Sequence, residues 1–393
     1  MKPILLLIFL FLNCFDNYYS FNFQSLGKKE RLQKFLEAVG AKENSCLASK
    51  EESLKILTEK YNMTINEKDI NDNLRFIVGD CHPVILIPGI FSVRLKTQID
   101  CKGLFNNEKD VYEKLQFFCL SNICPNPDVE KIQEYNLFLE IDGPFGFAKS
   151  VAGNKNLYNA CFSFFMTIFN DDECPLGKNV CTKSNYIKVM FDGGTYDTYQ
   201  DSKCGTESIR DVFITNKRIS NYIDTSKVYG EINDLLINVG YDYGFSFGGI
   251  PNDFRKFVAT NKFATDTFRY MVESFYNNTS KQVIIIAHSF GNLIALHNLI
   301  SKENEDLIPK IKKFVAIGPT FAGSTKLLNG YLHGLTDFNQ AFDLIYFHHF
   351  GQSLLFKSVP TVTELRPQPI LEKLLKIPKY REFVDAIVER ITL

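Results

Sequence analysis

Tryptophan is absent from all 393 residues, although Phe occurs 36 times and Tyr 18 times. Any aromatic anchor, in the core or on the surface, therefore has to be built from those two. An excess of one charge is lacking as well, with 44 Lys plus Arg against 45 Asp plus Glu. So balanced a chain carries no electrostatic footprint for nucleic acid, and no nucleic-acid partner is expected. Beyond the N-terminus no apolar run is long enough to cross a bilayer, which takes about 20 residues. The ten cysteines stop at Cys204, form no CxxC pair and have no His at ligand spacing. That pattern argues against a zinc site.

What is present begins with Met1-Lys2-Pro3 and an unbroken apolar stretch over residues 4–12. Its length suits the core of a signal peptide and is too short for a membrane span. Residues 1–20 are therefore expected to be a signal peptide. The mature chain is expected to be soluble in the secretory pathway, in an extracellular space or in the lumen of a lysosome or vacuole. Cys46, Cys81, Cys101, Cys119, Cys124, Cys161, Cys174, Cys181 and Cys204 would then serve disulfides, with one left over. Sequons at Asn62, Asn277 and Asn278 fit a glycoprotein.

Residues 21–80 are charged and weakly periodic, which predicts short helices. A core domain is expected over 81–393. Val84 to Ile87 is a short apolar run stopped by Pro88-Gly89, the pattern of a buried strand entering a tight loop. From about 95 to 215 Gly, Asn, Asp and most cysteines accumulate, and this stretch is expected to be a cap insertion braced by disulfides. Strand and helix then alternate. A helix capped by Asp224-Thr-Ser226 and ending at Gly240 would turn Val228, Ile232, Leu235 and Leu236 to one face. A second would do the same with Phe268, Met271, Val272 and Phe275. A further strand is predicted at Lys313-Phe-Val-Ala-Ile317, and only helices over the last sixty or so residues. Such alternation implies a parallel, doubly wound α/β sheet.

The chemistry sits where strands end. In Val283-Ile-Ile-Ile-Ala-His-Ser-Phe-Gly-Asn292 an apolar strand runs through a small-residue turn into a helix. That is the nucleophile elbow of α/β-hydrolases, written here as Ala-x-Ser-x-Gly, with Ser289 as nucleophile. Small flanking residues are required where strand and helix cross. The amide of Phe290 would face a developing oxyanion, and the amide of Ile90, or of Phe91, would supply the second donor from the loop after the earlier strand. A third strand end, Gly318-Pro-Thr-Phe-Ala-Gly-Ser324, would pack beside the elbow or shape an acyl pocket. His288 precedes the serine on a strand, so alternation predicts that it points to the opposite face.

Taken together, His82-Pro-Val-Ile-Leu-Ile-Pro-Gly89, Gly249-Ile-Pro-Asn-Asp-Phe-Arg255, Ala287-His-Ser-Phe-Gly291 and Ile317-Gly-Pro-Thr-Phe-Ala-Gly-Ser324 resemble the lecithin–cholesterol acyltransferase family. That family includes lysosomal phospholipases and phospholipid:diacylglycerol acyltransferases. The resemblance implies an α/β-hydrolase with a disulfide-braced lid, cleaving phospholipid acyl esters without metal or cofactor. It implies passage of the acyl group to a lipid hydroxyl or to water at a membrane or lipoprotein surface, bound peripherally. It implies that Ser289 is the nucleophile and that the amides of Ile90 and Phe290 form the oxyanion hole. Asp253 and Arg255 would form a structural ion pair, and Cys101 would pair with Cys119 or Cys124. Phe254 stands where the family pattern has Trp.

By the same resemblance the acid and base come from late strands, farther along than the 104 positions between Ser289 and Leu393 (393 minus 289). The sequence is therefore expected to lack the last core strands and the triad Asp and His. His297 lies on the elbow helix, and His333, His348 and His349, with Asp337 and Asp343, have no strand-end context. A lipid-binding pseudoenzyme of impaired catalysis, or a neutral lipase or esterase, is the competing expectation.

Overall fold

The computed structural model describes residues 46–61, 77, 81–90, 92–115, 124, 133–136, 186–191, 204–210 and 229–324. The expected signal peptide, the Asn62 sequon and the C-terminal helices lie outside these residues. So do Asp337, Asp343 and the three histidines from His333 onward.

The first helix, α1, is Lys50–Tyr61. The first strand, β1, is Val84–Ile87, and all four of its residues are buried. A strand apolar on every residue needs cover on both faces and a partner on both edges. Both partners are parallel: β5, Phe247–Gly249, on one side and β6, Val283–His288, on the other. Beyond β6 lies β7, Ile311–Ile317, also parallel, giving the order β5-β1-β6-β7. The parallel α/β expectation holds for this sheet.

Two helices connect its strands. The longer, α6, is Lys262–Thr279 and buries Ala264, Phe268, Met271, Val272 and Phe275. Phe268 and Phe275 are almost fully removed from solvent, each worth about 1.5–3 kcal/mol of burial. It ends at Ser280 in the left-handed conformation. Near that end Asn277 is exposed, whereas the side chain of Asn278 donates to the Phe245 carbonyl at 3.3 Å. The other helix, α7, is Gly291–Ile300 and packs on β6 and β1.

Preceding β5 is α5, Gly230–Asn238, which begins after Tyr229 with no side-chain cap. The start expected at Asp224-Thr-Ser226 falls outside the described residues. The helix stops where Gly240 adopts φ +110°. Against that end packs the N-terminal segment: Cys46 donates its amide to the Val239 carbonyl, and Cys46 is disulfide-bonded to Cys81.

Within the span expected to be a cap, a second sheet appears. Its centre is β2, Leu95–Ile99, flanked antiparallel by β3, Gln133–Asn136, and β4, Ile187–Phe191. Leu95, Thr97 and Ile99 are buried while Lys96 and Gln98 are not, the two-residue alternation of a sheet with one covered face. Helices α2, Cys101–Asn107, and α3, Lys109–Leu115, follow β2, and α4, Thr206–Arg210, comes after β4. Of the two pairings left open for Cys101, the structure forms the one with Cys124.

Candidate active site

Ser289 leaves β6 at φ +51°, in the left-handed region. A residue with a Cβ pays roughly 1–2 kcal/mol for that conformation, and it persists because its surroundings hold it. The Ser289 amide donates to the Ile317 carbonyl at the end of β7, at 2.9 Å. Asn292, completely buried, donates from Nδ2 to the carbonyls of Ser289 at 2.9 Å and Ile317 at 3.0 Å. Two adjacent strand ends are thus stitched through the turn, and α7 starts at once behind it.

Gly291 explains how close the crossing is. A methyl group there would lie 2.4 Å from the Ile87 carbonyl oxygen and 2.6 Å from that of Pro88. Gly89 makes a second tight contact: a methyl on it would lie 2.8 Å from Ser289 Cβ and 3.2 Å from His288 Nδ1. The 88–90 loop therefore rests directly on the serine turn. Among the described residues no backbone acceptor takes the amide hydrogens of Ile90 or Phe290. Phe290 is itself buried, and Ile90 packs against the core.

His288 ends β6, and its ring and the Ser289 Cβ both border Gly89. Burial pushes the His288 imidazole below its usual pKa, which favours the neutral ring. His297 sits in the last turn of α7, about 9 Å along the helix from its start at Gly291 at 1.5 Å per residue.

Around this centre the other motifs have supporting parts. Arg255 grips Asp253 with two side-chain bonds, Nε to Oδ1 at 2.8 Å and the terminal nitrogen to Oδ2 at 2.7 Å, and both residues are buried. Burial alone would raise the Asp253 pKa, but the charge and hydrogen bonds of Arg255 outweigh it and hold the carboxyl below its usual value. Phe254 between them is fully buried and fills the place where the family pattern has the larger Trp. At the opposite ends of the strands, His82 donates from Nδ1 to the Gln282 carbonyl at 2.8 Å. That bond ties the starts of β1 and β6 together.

Two asparagines with structural roles here carried no signal in the sequence. Asn292 was merely the first residue of a helix, and Asn252 merely a polar residue in a loop. Asn252 is fully buried and donates from Nδ2 to the Pro88 carbonyl at 3.2 Å.

A model of the lecithin:cholesterol acyltransferase family matches residues 187–392, more than half of the chain. The chain belongs to the lecithin:cholesterol acyltransferase family. It is 32% identical over 95 residues to the lysosomal phospholipase A and acyltransferase of Bos taurus, covering 24% of this chain and 23% of that protein. The Homo sapiens protein of the same name is 30% identical over 95 residues, with the same coverage. The phosphatidylcholine-sterol acyltransferase of Gallus gallus is 27% identical over 110 residues, covering 27% of each. The chain thus spans about a quarter of the length of the curated relatives it matches. Membership implies an α/β-hydrolase-like fold, with which the parallel sheet agrees. Among the described residues no helix is long and apolar enough to cross a membrane.

Proposed function

We propose that this protein is a serine acyltransferase or phospholipase that cleaves a phospholipid acyl ester through a covalent acyl-enzyme. The observation that carries the reading is the left-handed Ser289 turn pressed against the 88–90 loop, on a chain of this family. Ser289 Oγ attacks the ester carbonyl carbon while its proton passes to a general base. The carbonyl oxygen becomes an anion facing the amides of Phe290 and Ile90. One such donor is worth about 10²–10³ in kcat. Collapse breaks the bond to the glycerol oxygen, which leaves with a proton, and a lipid hydroxyl or water then attacks the acyl-enzyme in the same way. No general base or acid is assigned among the described residues.

The substrate reading draws on relatives whose names specify phospholipase A and phosphatidylcholine-sterol acyltransferase activity. The protein would meet phospholipid and acceptor peripherally, at a membrane or lipoprotein surface. The N-terminal apolar stretch supports passage through the secretory pathway to an extracellular or lysosomal lumen.

The test uses the full chain with a fluorophosphonate probe and with phosphatidylcholine vesicles. Labelling at Ser289, lost in Ser289→Ala, together with fatty-acid release or acyl transfer to an added alcohol, is the expected result. Vesicle binding with neither labelling nor turnover would instead identify a lipid-binding pseudoenzyme. Turnover of triacylglycerol but not of phosphatidylcholine would identify a neutral lipase.

A further inference from the structure

We infer that Asn252 is a positioning residue that holds the 88–90 loop in the orientation its oxyanion-binding role demands. The inference rests on the acyl-transfer reading for that role, but its geometry stands independently. Strand β5 runs beside β1, with Gly249 opposite Leu86, and the Ile250 amide continues the ladder by donating to the Leu86 carbonyl at 2.8 Å. The two chains leave the sheet side by side. Asn252 therefore arrives next to Pro88 and donates to its carbonyl across 164 positions of sequence. The amide orientation is fixed by chemistry, because an oxygen in the place of Nδ2 would face the Pro88 oxygen.

Stability by itself does not call for an amide at this place. Asn252 Oδ1 is buried and has no hydrogen-bond partner among the described residues. An apolar side chain of similar shape would avoid that orphaned acceptor. What the amide adds is control of the loop. Pro88 has no N–H, so its carbonyl is the only backbone hydrogen-bonding group by which that residue can be held. The Asn252 bond fixes the Pro88–Gly89 peptide plane. The next plane, which carries the Ile90 N–H, is held by the Ser92 amide donating to the Gly89 carbonyl at a long 3.3 Å. The joint between the two planes is a glycine, the residue with the widest choice of backbone angles. Without the Asn252 bond, the plane bearing the Ile90 donor is left to the Ser92 bond, itself as long as the one removed.

The test compares wild-type protein, Asn252→Ala and Asn252→Asp as full chains. Readouts are the rate of fluorophosphonate labelling at Ser289, kcat and KM for a soluble ester, and hydrogen exchange of the peptide covering 88–93. Asn252→Ala is expected to slow labelling and kcat by about ten- to a hundredfold, as for a misplaced donor, with KM nearly unchanged and faster exchange in that peptide. Asn252→Asp has no hydrogen to offer the Pro88 carbonyl while ionised but has one when protonated. Its rate relative to wild type should therefore recover on acidification, a comparison made within one folded protein even if the Ala variant folds poorly. Wild-type labelling and exchange in Asn252→Ala, or a wild-type pH profile in Asn252→Asp, overturns the inference. If wild-type protein itself is not labelled, the acyl-transfer reading fails, and the exchange data alone still decide whether Asn252 holds the loop.

Discussion

Replacing Gly291 by Ala probes the site with one methyl group. That methyl would sit 2.4 Å from the Ile87 oxygen, 2.6 Å from the Pro88 oxygen and 2.9 Å from the Ile87 carbonyl carbon, all backbone atoms. The closest separation ordinarily tolerated is 3.0 Å, so the crossing has to open by at least about 0.6 Å (3.0 minus 2.4). No side chain can rotate aside to supply this. Either α7 moves off the end of β1, or the 88–90 loop moves off the helix. Overpacking of this kind costs about 1–3 kcal/mol, and Ala in place of helical Gly returns about 0.5–1 kcal/mol. The net loss is about 0–2.5 kcal/mol, at most a few degrees in Tm for a domain this large. The effect on rate is far greater, because the two proposed oxyanion donors lie on the two parts being pushed apart. A displacement near 1 Å is worth about 10² in rate. The assay pairs ester hydrolysis with thermal melts by circular dichroism, since a chain without Trp offers no indole fluorescence. Gly244→Ala is the control: its φ of +75° strains Ala, but the nearest atom is 3.8 Å away, at Cys204. It should lose about 1–2 kcal/mol and keep its rate. A Gly291→Ala protein as active and stable as wild type would refute the argument.

Three further outcomes follow from the same geometry. Ser289→Gly and Ser289→Ala should both abolish probe labelling, but the Gly variant should be more stable by about 1 kcal/mol because it adopts φ +51° without strain; equal denaturant midpoints would show that Ser289 bears no strain. Asp253→Asn should cost about 3–5 kcal/mol by removing the buried carboxylate that Arg255 grips through two side-chain bonds. The folded Asp253 pKa lies below its ordinary 3.8, so the wild-type contribution is complete above that pH and disappears as pH falls through the lower folded value. Urea titrations should show this acid loss in wild type and not in the variant. For His288 the folded pKa lies below its ordinary 6.5. Above that pH both states are neutral, and below it the unfolded chain takes up a proton first, so stability falls. His288→Gln should flatten this stretch of the profile, and an unchanged slope would remove His288 from the account.

The parts legible in the sequence were those whose signal is local. Val84 to Ile87 reads as a central strand because it is apolar on every residue and stops at Pro88-Gly89, and Ser289 stands out because strand, tight turn and helix follow one another without a gap. Strand β2 carried an equally local signal in the alternation of Leu95, Thr97 and Ile99. There the surrounding Gly, Asn and Asp dominated, and a disulfide-braced cap insertion was expected with no strand assigned in it. The Cys46–Cys81 bond had no signal, since spacing does not specify connectivity. Asn252 and Asn292 were illegible for a related reason. Their partners, Pro88 and Ile317, are 164 and 25 positions away, and only the closed sheet brings them near.

What the turn requires explains this distribution. The proposed donors at the site are backbone amides, so its accuracy is set by the path of the main chain rather than by a constellation of charged side chains. Holding Ser289 left-handed costs roughly 1–2 kcal/mol. Against that stand the Ser289 amide on the Ile317 carbonyl and the two bonds from Asn292, each contributing about 1 kcal/mol net. The bonds outweigh the strain by a small margin only. A turn so balanced stays in place while β6 and β7 remain paired in register, with Ala287 opposite Ala316 and His288 opposite Ile317. The far strand, which carries no proposed catalytic group, thereby becomes part of what keeps the nucleophile exposed.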